Sequence, residues 1–260
     1  VSMTNLKNYL GLIKFRYHVS FIAVILGALV FTDEITLSLI QSLLVLYFSF
    51  NILMYSGLYT MNDIADIKSD KKHPLKSKRP LPTKKISIKE ASIFSFSFVL
   101  LGLVISYFYF DIIFYFFLAF ILLNVIYSFA ARNIPYAELI FNSATYPLRF
   151  AMGIAMVGSS MNYSLVASVF LVAFGISAMR RKFEKNAKGW QARKTIKFYS
   201  KNELNILVVI PFILILLLFV LDYPNYWFMY LFAVIAYILA TAGAAYSKGI
   251  NRYFKMLWLK

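Results

Sequence analysis

The 260-residue chain contains no cysteine, which excludes disulfides, thiolate metal sites and a cysteine nucleophile. Histidine is nearly absent: His18 and His73 are its two occurrences, so a zinc site built on imidazole and thiolate has no ligands to draw on. Acidic residues are scarce, with 11 Asp and Glu against 27 Lys and Arg, for a net charge of +16. Charge of either sign amounts to 15% of the residues, whereas 61% are hydrophobic and the mean hydropathy is +0.70. A soluble domain carries about 45–50% apolar and about 25% charged residues, so this composition is that of an integral membrane protein. Nucleic acid does not explain the positive charge, because no folded soluble domain accompanies it.

Eight apolar runs, each near the length that crosses about 30 Å of hydrocarbon, centre on residues 19–32, 36–60, 88–109, 111–130, 136–157, 164–179, 204–221 and 224–246. The first lies behind Lys14 and Arg16 and has no small-residue cleavage site, so it reads as a retained helix. Apart from Arg149, the basic residues fall at the N-terminus, after runs two, four and six, and at the C-terminus; Asp33, Glu34, Asp111 and Asp222 mark the other side. The positive-inside rule then puts both termini on the cytoplasmic side of the cell membrane. Connections such as Phe110-Asp111 and Asp222-Tyr223 are short, which sets successive helices antiparallel and adjacent. The expected fold is all-α, a polytopic transmembrane helix bundle forming one domain over residues 1–260.

Two polar segments interrupt the pattern, about residues 62–87 and 180–202. Nine Lys and Arg lie between Lys68 and Lys89 and nine between Arg180 and Lys201, against one, Arg132, in the loop after run four. Topology and anionic lipid headgroups account for basic loops in general; their concentration in two places also points to a polyanionic ligand. The first segment breaks at His73-Pro74 and Arg79-Pro80-Leu81-Pro82, where proline forbids a continuous helix, and reads as a cytoplasmic cap over a cavity. Each segment is a helix end, a basic loop and another helix, a weak sign that helices one to four are repeated as five to eight. The acidic cluster of the first has no counterpart in the second.

That cluster is the strongest motif in the chain. Residues 62–70 read Asn-Asp-Ile-Ala-Asp-Ile-Lys-Ser-Asp. On a helix at 100° per residue Asp63, Asp66 and Asp70 fall within an arc of about 60°, and three carboxylates on one stripe repel unless a cation lies between them. Oxygen-only donors of this kind suit Mg²⁺, which keeps several waters and uses substrate phosphates to complete its shell. The expectation is a metal-bridged diphosphate at a membrane surface, with Asn62 donating to a phosphate oxygen or a metal-bound water.

Asn62 to Asp70 resembles the N-D-x-x-D-x-x-x-D signature of the UbiA superfamily, membrane transferases whose aspartates bind Mg²⁺ and the diphosphate of an activated substrate. Aromatic prenyltransferases of that superfamily run on through Asn-Arg-Pro and Arg-Pro. Here Asp70-Lys71-Lys72-His73-Pro74-Leu75-Lys76-Ser77-Lys78-Arg79-Pro80 has the H-P-x-K-x-x-R-P form and is similar to the decaprenyl-phosphate phosphoribosyltransferases. Asn124 to Glu138, with Tyr127-Ser128, Arg132 and Ile134-Pro135, resembles the same subgroup's Y-S-x-x-x-K-x-I-P-x-x-D, with Arg for Lys and Glu for Asp. Arg180-Arg181-Lys182-Phe183-Glu184 resembles its K-R-R-x-E, and Tyr199-Ser200 with Leu204 its Y-S-x-x-x-L. The resemblance spans about residues 50–210 and implies a UbiA-like bundle, usually of nine helices where eight are recognisable here. In place of the second aspartate-rich motif of most UbiA prenyltransferases, after helix six, stands Glu184 among basic residues. Arg16-Tyr17 replaces an N-terminal Arg-Pro pair.

The expected function is Mg²⁺-dependent transfer of a 5-phosphoribosyl group from its diphosphate to a polyprenyl phosphate. The alternatives are prenyl transfer from a prenyl diphosphate to an aromatic or glycerol-type acceptor, and a lipid-binding or transport protein without catalysis. Asp63, Asp66 and Asp70 are the expected metal ligands. Asn62, Lys72, Lys76, Arg79, Tyr127, Arg132, Arg149, Arg180, Arg181, Lys182, Glu184 and Lys185 are the expected substrate contacts, arginine being preferred wherever a phosphate is held bidentately. Glu184 either orients Arg180 or contacts a ribose hydroxyl, or it forms an ordinary i,i+4 ion pair. Arg149, inside the fifth helix, either faces the bundle interior or snorkels to the interface. Asn51, Asn124 and Asn142 are expected to bond between helices.

Overall fold

The structure, a computed structural model, describes residues 3–71, 76–186, 194–247 and 249–252. Among them all regular structure is helical, and it follows the apolar runs. The first run holds α1 (Met3–Ile13), a 3-10 turn (Phe15–Phe21) and α2 (Ile22–Val30). In the second, α3 (Leu37–Leu46) continues through a π-helical stretch (Tyr47–Tyr55) into α4 (Ser56–Asp70). Then come α5 (Ile88–Tyr109), α6 (Ile113–Phe129), α7 (Ala137–Met156), α8 (Tyr163–Asn186) and α9 (Lys201–Asp222). The last run is α10 (Trp227–Ile238), which passes through a second π stretch (Leu239–Gly243) into α11 (Ala244–Tyr246).

Among the described residues six stretches are long and apolar enough to cross a membrane: Lys7–Val30, Leu37–Lys68, Ile88–Tyr109, Tyr163–Asn186, Lys201–Asp222 and Trp227–Tyr246. Two of the eight expected crossings fall outside this set for different reasons. The α6 helix is apolar but shorter, with 17 residues. The α7 helix has 20, and its apolar character is diluted by Glu138, Asn142, Thr145, Pro147 and Arg149.

The chain divides into two compact units: residues 1–122 with 152–159, and residues 123–151 with 160–260. In unit 1 the π stretch and α4 pack along α5. At Gly57 a Cβ would stand 2.7 Å from the Ser95 carbonyl oxygen, and the Ser95 hydroxyl donates to the Gly57 carbonyl at 2.7 Å. Close backbone approach of this kind replaces the hydrophobic drive that helices lose among lipid tails. Phe50 lies edge-on to Phe117 and Phe120. The chain after α4 is tied down by Leu81 and Ile86, which are buried with Leu12 and Ala91 against Ile64 and Ile67. Burial of each such side chain is worth roughly 1.5–3 kcal/mol outside the bilayer, so residues 79–86 form a fastened segment. Ser87 then starts α5 with a reciprocal capping box to Glu90.

In unit 2 the α8 helix packs along α9, and α10 lies against both. Asn142 on α7 donates to the Ser177 hydroxyl on α8 at 3.1 Å, the interhelical role expected of it. Leu139, Ala178, Tyr199 and Leu204 form a buried cluster. Ser200 opens α9 with a second capping box, to Glu203.

Candidate active site

The helix reaches Asp70, so the acidic stripe occupies the last two turns of α4. Asp63 and Asp70 are both buried. Seven residues apart, they lie about 20° from each other around the helix, and one atom joins them: Arg79 Nη1 donates to Asp63 Oδ1 and to Asp70 Oδ2, each at 2.9 Å. Lys76 Nζ stands 3.9 Å from the other Asp70 oxygen. Arg79 is placed by a turn, its amide bonding to the Lys76 carbonyl at 3.0 Å and its own carbonyl accepting from the Thr83 hydroxyl at 2.8 Å.

A third cation arrives from a part of the chain that the motif did not indicate. Lys14 adopts the left-handed conformation (φ 57°), which stops α1 and starts the 3-10 turn. A non-glycine residue held there is strained, which requires compensation nearby. The Ile13 carbonyl released at the helix end accepts from His18 Nε2 at 3.0 Å and from the Ser56 hydroxyl at 3.1 Å. With Nε2 donating, Nδ1 of His18 accepts from the Tyr47 hydroxyl at 2.9 Å. His18 is thus a structural clamp, and the break it supports carries the Lys14 ammonium to Asp63 Oδ2.

Unit 2 gathers the other motif segments around Arg181, which is 2% exposed. Its Nε and Nη2 each donate at 2.7 Å to the two oxygens of Glu138, and Nη1 reaches Glu184 at 2.5 Å. Glu184 also accepts from Arg180 Nε at 3.0 Å, the i,i+4 pair that the spacing allowed. Thr195 and Tyr199 donate to Glu138 at 3.2 and 3.4 Å. Lys185 donates to the Tyr199 carbonyl. The Tyr199 hydroxyl accepts from the Tyr136 amide at 2.8 Å. Burial, the larger cause, and the nearby Glu138 charge push the Tyr199 phenol up to about 12, against the pull of the Tyr136 amide and Arg181. The Tyr136 phenol is also raised, by its hydrogen bond to the Glu203 carboxylate at 3.0 Å.

The expected substrate contacts therefore divide. Lys76 and Arg79 stand at the aspartates. Arg180 and Arg181 bond to carboxylates within their own unit, Arg181 from full burial and Arg180 through Nε with its side chain 40% exposed. Glu184 joins both. Tyr127, at the end of α6, has contacts of its own. Arg132 is half-buried on the turn Ala131–Asn133. Arg149 is buried at 2% exposure and donates to the Thr145 carbonyl at 2.8 Å, so it does not snorkel. Asn62 and Asp66 are half-buried, each with contacts of its own. Lys72, with His73 and Pro74, lies outside the described residues. Among the described residues no three His, Asp or Glu side chains stand close enough together to hold one metal. Lys14 was missed because nothing local distinguishes it from its basic neighbours.

Fold and charge cluster together define a helical membrane transferase. Residues 20–253 match the model of the UbiA prenyltransferase family, and the chain belongs to that family. It is similar to the digeranylgeranylglyceryl phosphate synthase of Methanocaldococcus jannaschii, 38% identical over 109 residues, which are 42% of this chain and 37% of that protein. The match thus spans little more than a third of the relative's length. The fold is similar to that of a UbiA homologue from Archaeoglobus fulgidus bound to GPP and Mg²⁺, with a TM-score of 0.73 and 18% identity over 97% of this chain and 95% of that one. It is also similar to a solved digeranylgeranylglyceryl phosphate synthase, with a TM-score of 0.68 and 24% identity over 98% and 94%. At these identities the likeness establishes the fold. The curated relatives bear the synthase name rather than that of the phosphoribosyltransferases which the His73-Pro74 to Arg79-Pro80 stretch resembles.

Proposed function

We propose that the protein transfers a prenyl group from its diphosphate to a glycerol-type lipid acceptor at the cytoplasmic face of the membrane. The observation that carries this reading is the buried Asp63 and Asp70 pair, surrounded by Arg79, Lys76 and Lys14, on a helix long enough to cross the bilayer. The family and the named relatives supply the prenyl donor. The donor set fits magnesium, being made only of carboxylate oxygens. Magnesium needs no cluster of three, since it takes one or two carboxylates and keeps several waters, so Asp63, Asp66 and Asp70 would hold it singly or in pairs; when bound, it stabilises the charge that develops on departing pyrophosphate.

The chain's own residues do the rest. Arg79, with its planar fork of donors, grips diphosphate oxygens, and Lys76 and Lys14 add point charges on either side. The segment fastened by Leu81 and Ile86 keeps these cations at the helix end and limits the access of water to the prenyl carbon. The acceptor hydroxyl oxygen bonds to that carbon as the carbon–oxygen bond to pyrophosphate breaks, and its proton passes to the departing pyrophosphate or to water. Positive-inside asymmetry of the basic residues supports the cytoplasmic side for this end of α4.

One observation favours the phosphoribosyl reading as a second. The buried glutamates of unit 2, Glu138 and Glu184, are committed to Arg180 and Arg181, and a single acidic cluster among many cations suits a donor with a further phosphate. Purified protein in nanodiscs, given Mg²⁺, is to be incubated with labelled prenyl diphosphate plus a glycerol phosphate acceptor, and separately with labelled phosphoribosyl diphosphate plus polyprenyl phosphate. Label entering lipid in the first incubation is the expected result; label entering lipid solely in the second reverses the order of the two readings.

A further inference from the structure

The end of α8 carries four cations, and three of them are committed. Arg180 and Arg181 bond to Glu184 and Glu138, and Lys185 to the Tyr199 carbonyl. Lys182 is half-buried, and among the described residues it has no hydrogen-bond or ion-pair partner. It lines a groove of about 440 Å³ between α8, α9 and the α10 stretch. An ammonium offers three donors and no acceptor, and withdrawing it from water without a partner is unfavourable.

The remaining lining is ordered along the membrane. Asn205, at the start of α9, lines the groove together with Lys182, while Val208, Phe212 and Ile238 line the part toward the middle of the span. From Asn205 to Phe212 the helix advances about 10 Å, so the groove is polar at the end of the span and apolar toward its middle. Its floor is built for close contact: Tyr237 donates to the Val208 carbonyl and lies on Gly175, where a Cβ would collide with the phenol oxygen. Among the described residues no acidic side chain lines the groove. A headgroup at the interface with a chain running inward has this same order of polarity.

We infer that this groove is a binding site for one anionic phospholipid, its phosphate on Lys182 and Asn205 and an acyl chain along Val208, Phe212 and Ile238. Charge selects the occupant, since a zwitterionic headgroup brings its own cation to Lys182. The site is formed by unit 2 residues alone and stands independently of which diphosphate the aspartates receive.

The test is native mass spectrometry of the whole protein released from nanodiscs containing equal phosphatidylglycerol and phosphatidylcholine. The wild type is expected to retain one phosphatidylglycerol with a preference of roughly fivefold, the size of one lysine's attraction to anionic lipid. Lys182→Gln should abolish the preference and Lys182→Arg should keep it, with a melting curve for each variant to show that it is folded. Equal retention of the two lipids by the wild type overturns the inference, as does a preference that survives Lys182→Gln. Displacement of bound phosphatidylglycerol by polyprenyl phosphate but not by a second phospholipid also overturns it, because the groove would then be a substrate subsite. Should Lys182→Gln unfold, Val208→Trp, which fills the apolar part and leaves the charge, must lower retention for the inference to stand.

Discussion

In unit 1 two buried carboxylates are surrounded by three cations from two separate stretches of the sequence; in unit 2 a buried guanidinium is held between two carboxylates. The pieces are alike, a helix end followed by a basic segment and a capped helix, but the order of charge is inverted. Exposure differs as well. The Arg79 and Lys76 side chains are 23% and 35% exposed, whereas Arg181, Glu138 and Glu184 are 2%, 0% and 1%. Partly exposed cations exchange one anion for another at low cost. A fully buried pair does not, because each partner left alone is a bare charge in a low dielectric. The comparison sets a cluster with two partly open cations, which the proposed function makes the ligand site, against a closed one that holds α7, α8 and the residues before α9 together.

Arg181→Met should have the largest effect on stability, about 3–5 kcal/mol, because it leaves Glu138 and Glu184 buried without their cation. Thermal unfolding in detergent measures it, and Arg181→Met combined with Glu138→Leu and Glu184→Leu should recover most of the loss. An unchanged melting temperature in the single variant would break the contrast between the clusters. Asp63→Asn should lower transfer at least about a hundredfold, the scale of lost electrostatic stabilisation, with a smaller change in melting than Arg181→Met. If the variant unfolds instead, the aspartate cluster is as structural as its counterpart.

Tyr199→Phe removes the acceptor of the Tyr136 amide and a donor to the buried Glu138 carboxylate, and should cost about 1–3 kcal/mol. Its pH dependence has a definite sign. The folded phenol titrates at about 12 and the unfolded one at about 10, so the protein holds that proton more tightly than the unfolded chain. The resulting stabilisation is complete below pH about 10 and is lost as pH rises toward about 12. The gap between wild type and Tyr199→Phe in chemical unfolding should therefore narrow across that window. Smallest, Ser87→Ala and Ser200→Ala should each cost about 1 kcal/mol by removing a cap. Near-equal values would support the likeness of the two basic segments, and a difference of severalfold would count against it.

Much of this was legible before any coordinates. Runs of about 20 apolar residues have few options other than a membrane helix, and the Asp63, Asp66 and Asp70 spacing fixed one acidic face of α4 because helical geometry is regular. The i,i+4 spacing of Arg180 and Glu184 also announced its pair. Both capping boxes follow the S-x-x-E pattern and could have been read, at Ser87 and Ser200. The destination of Arg181 could not. Its carboxylate, Glu138, lies 43 residues away on another helix, and a basic run looks the same whether it faces a phosphate or a glutamate.

The sequence by itself determined that the protein is a helical membrane protein with an oxygen-donor face at one helix end, since both follow from local periodicity and from the cost of placing unpaired polar backbone in lipid. Which cations meet that face was decided by the tertiary structure. The left-handed break at Lys14, held by His18 and Ser56, brings one to Asp63, and the fastening of Leu81 brings Arg79 to both aspartates. Tertiary packing likewise withdrew Arg181 from solvent and left Lys182 facing a groove. Neighbours in sequence then carry different partners, because burial and the nearest opposite charge are properties of the packed helices and not of the residue order.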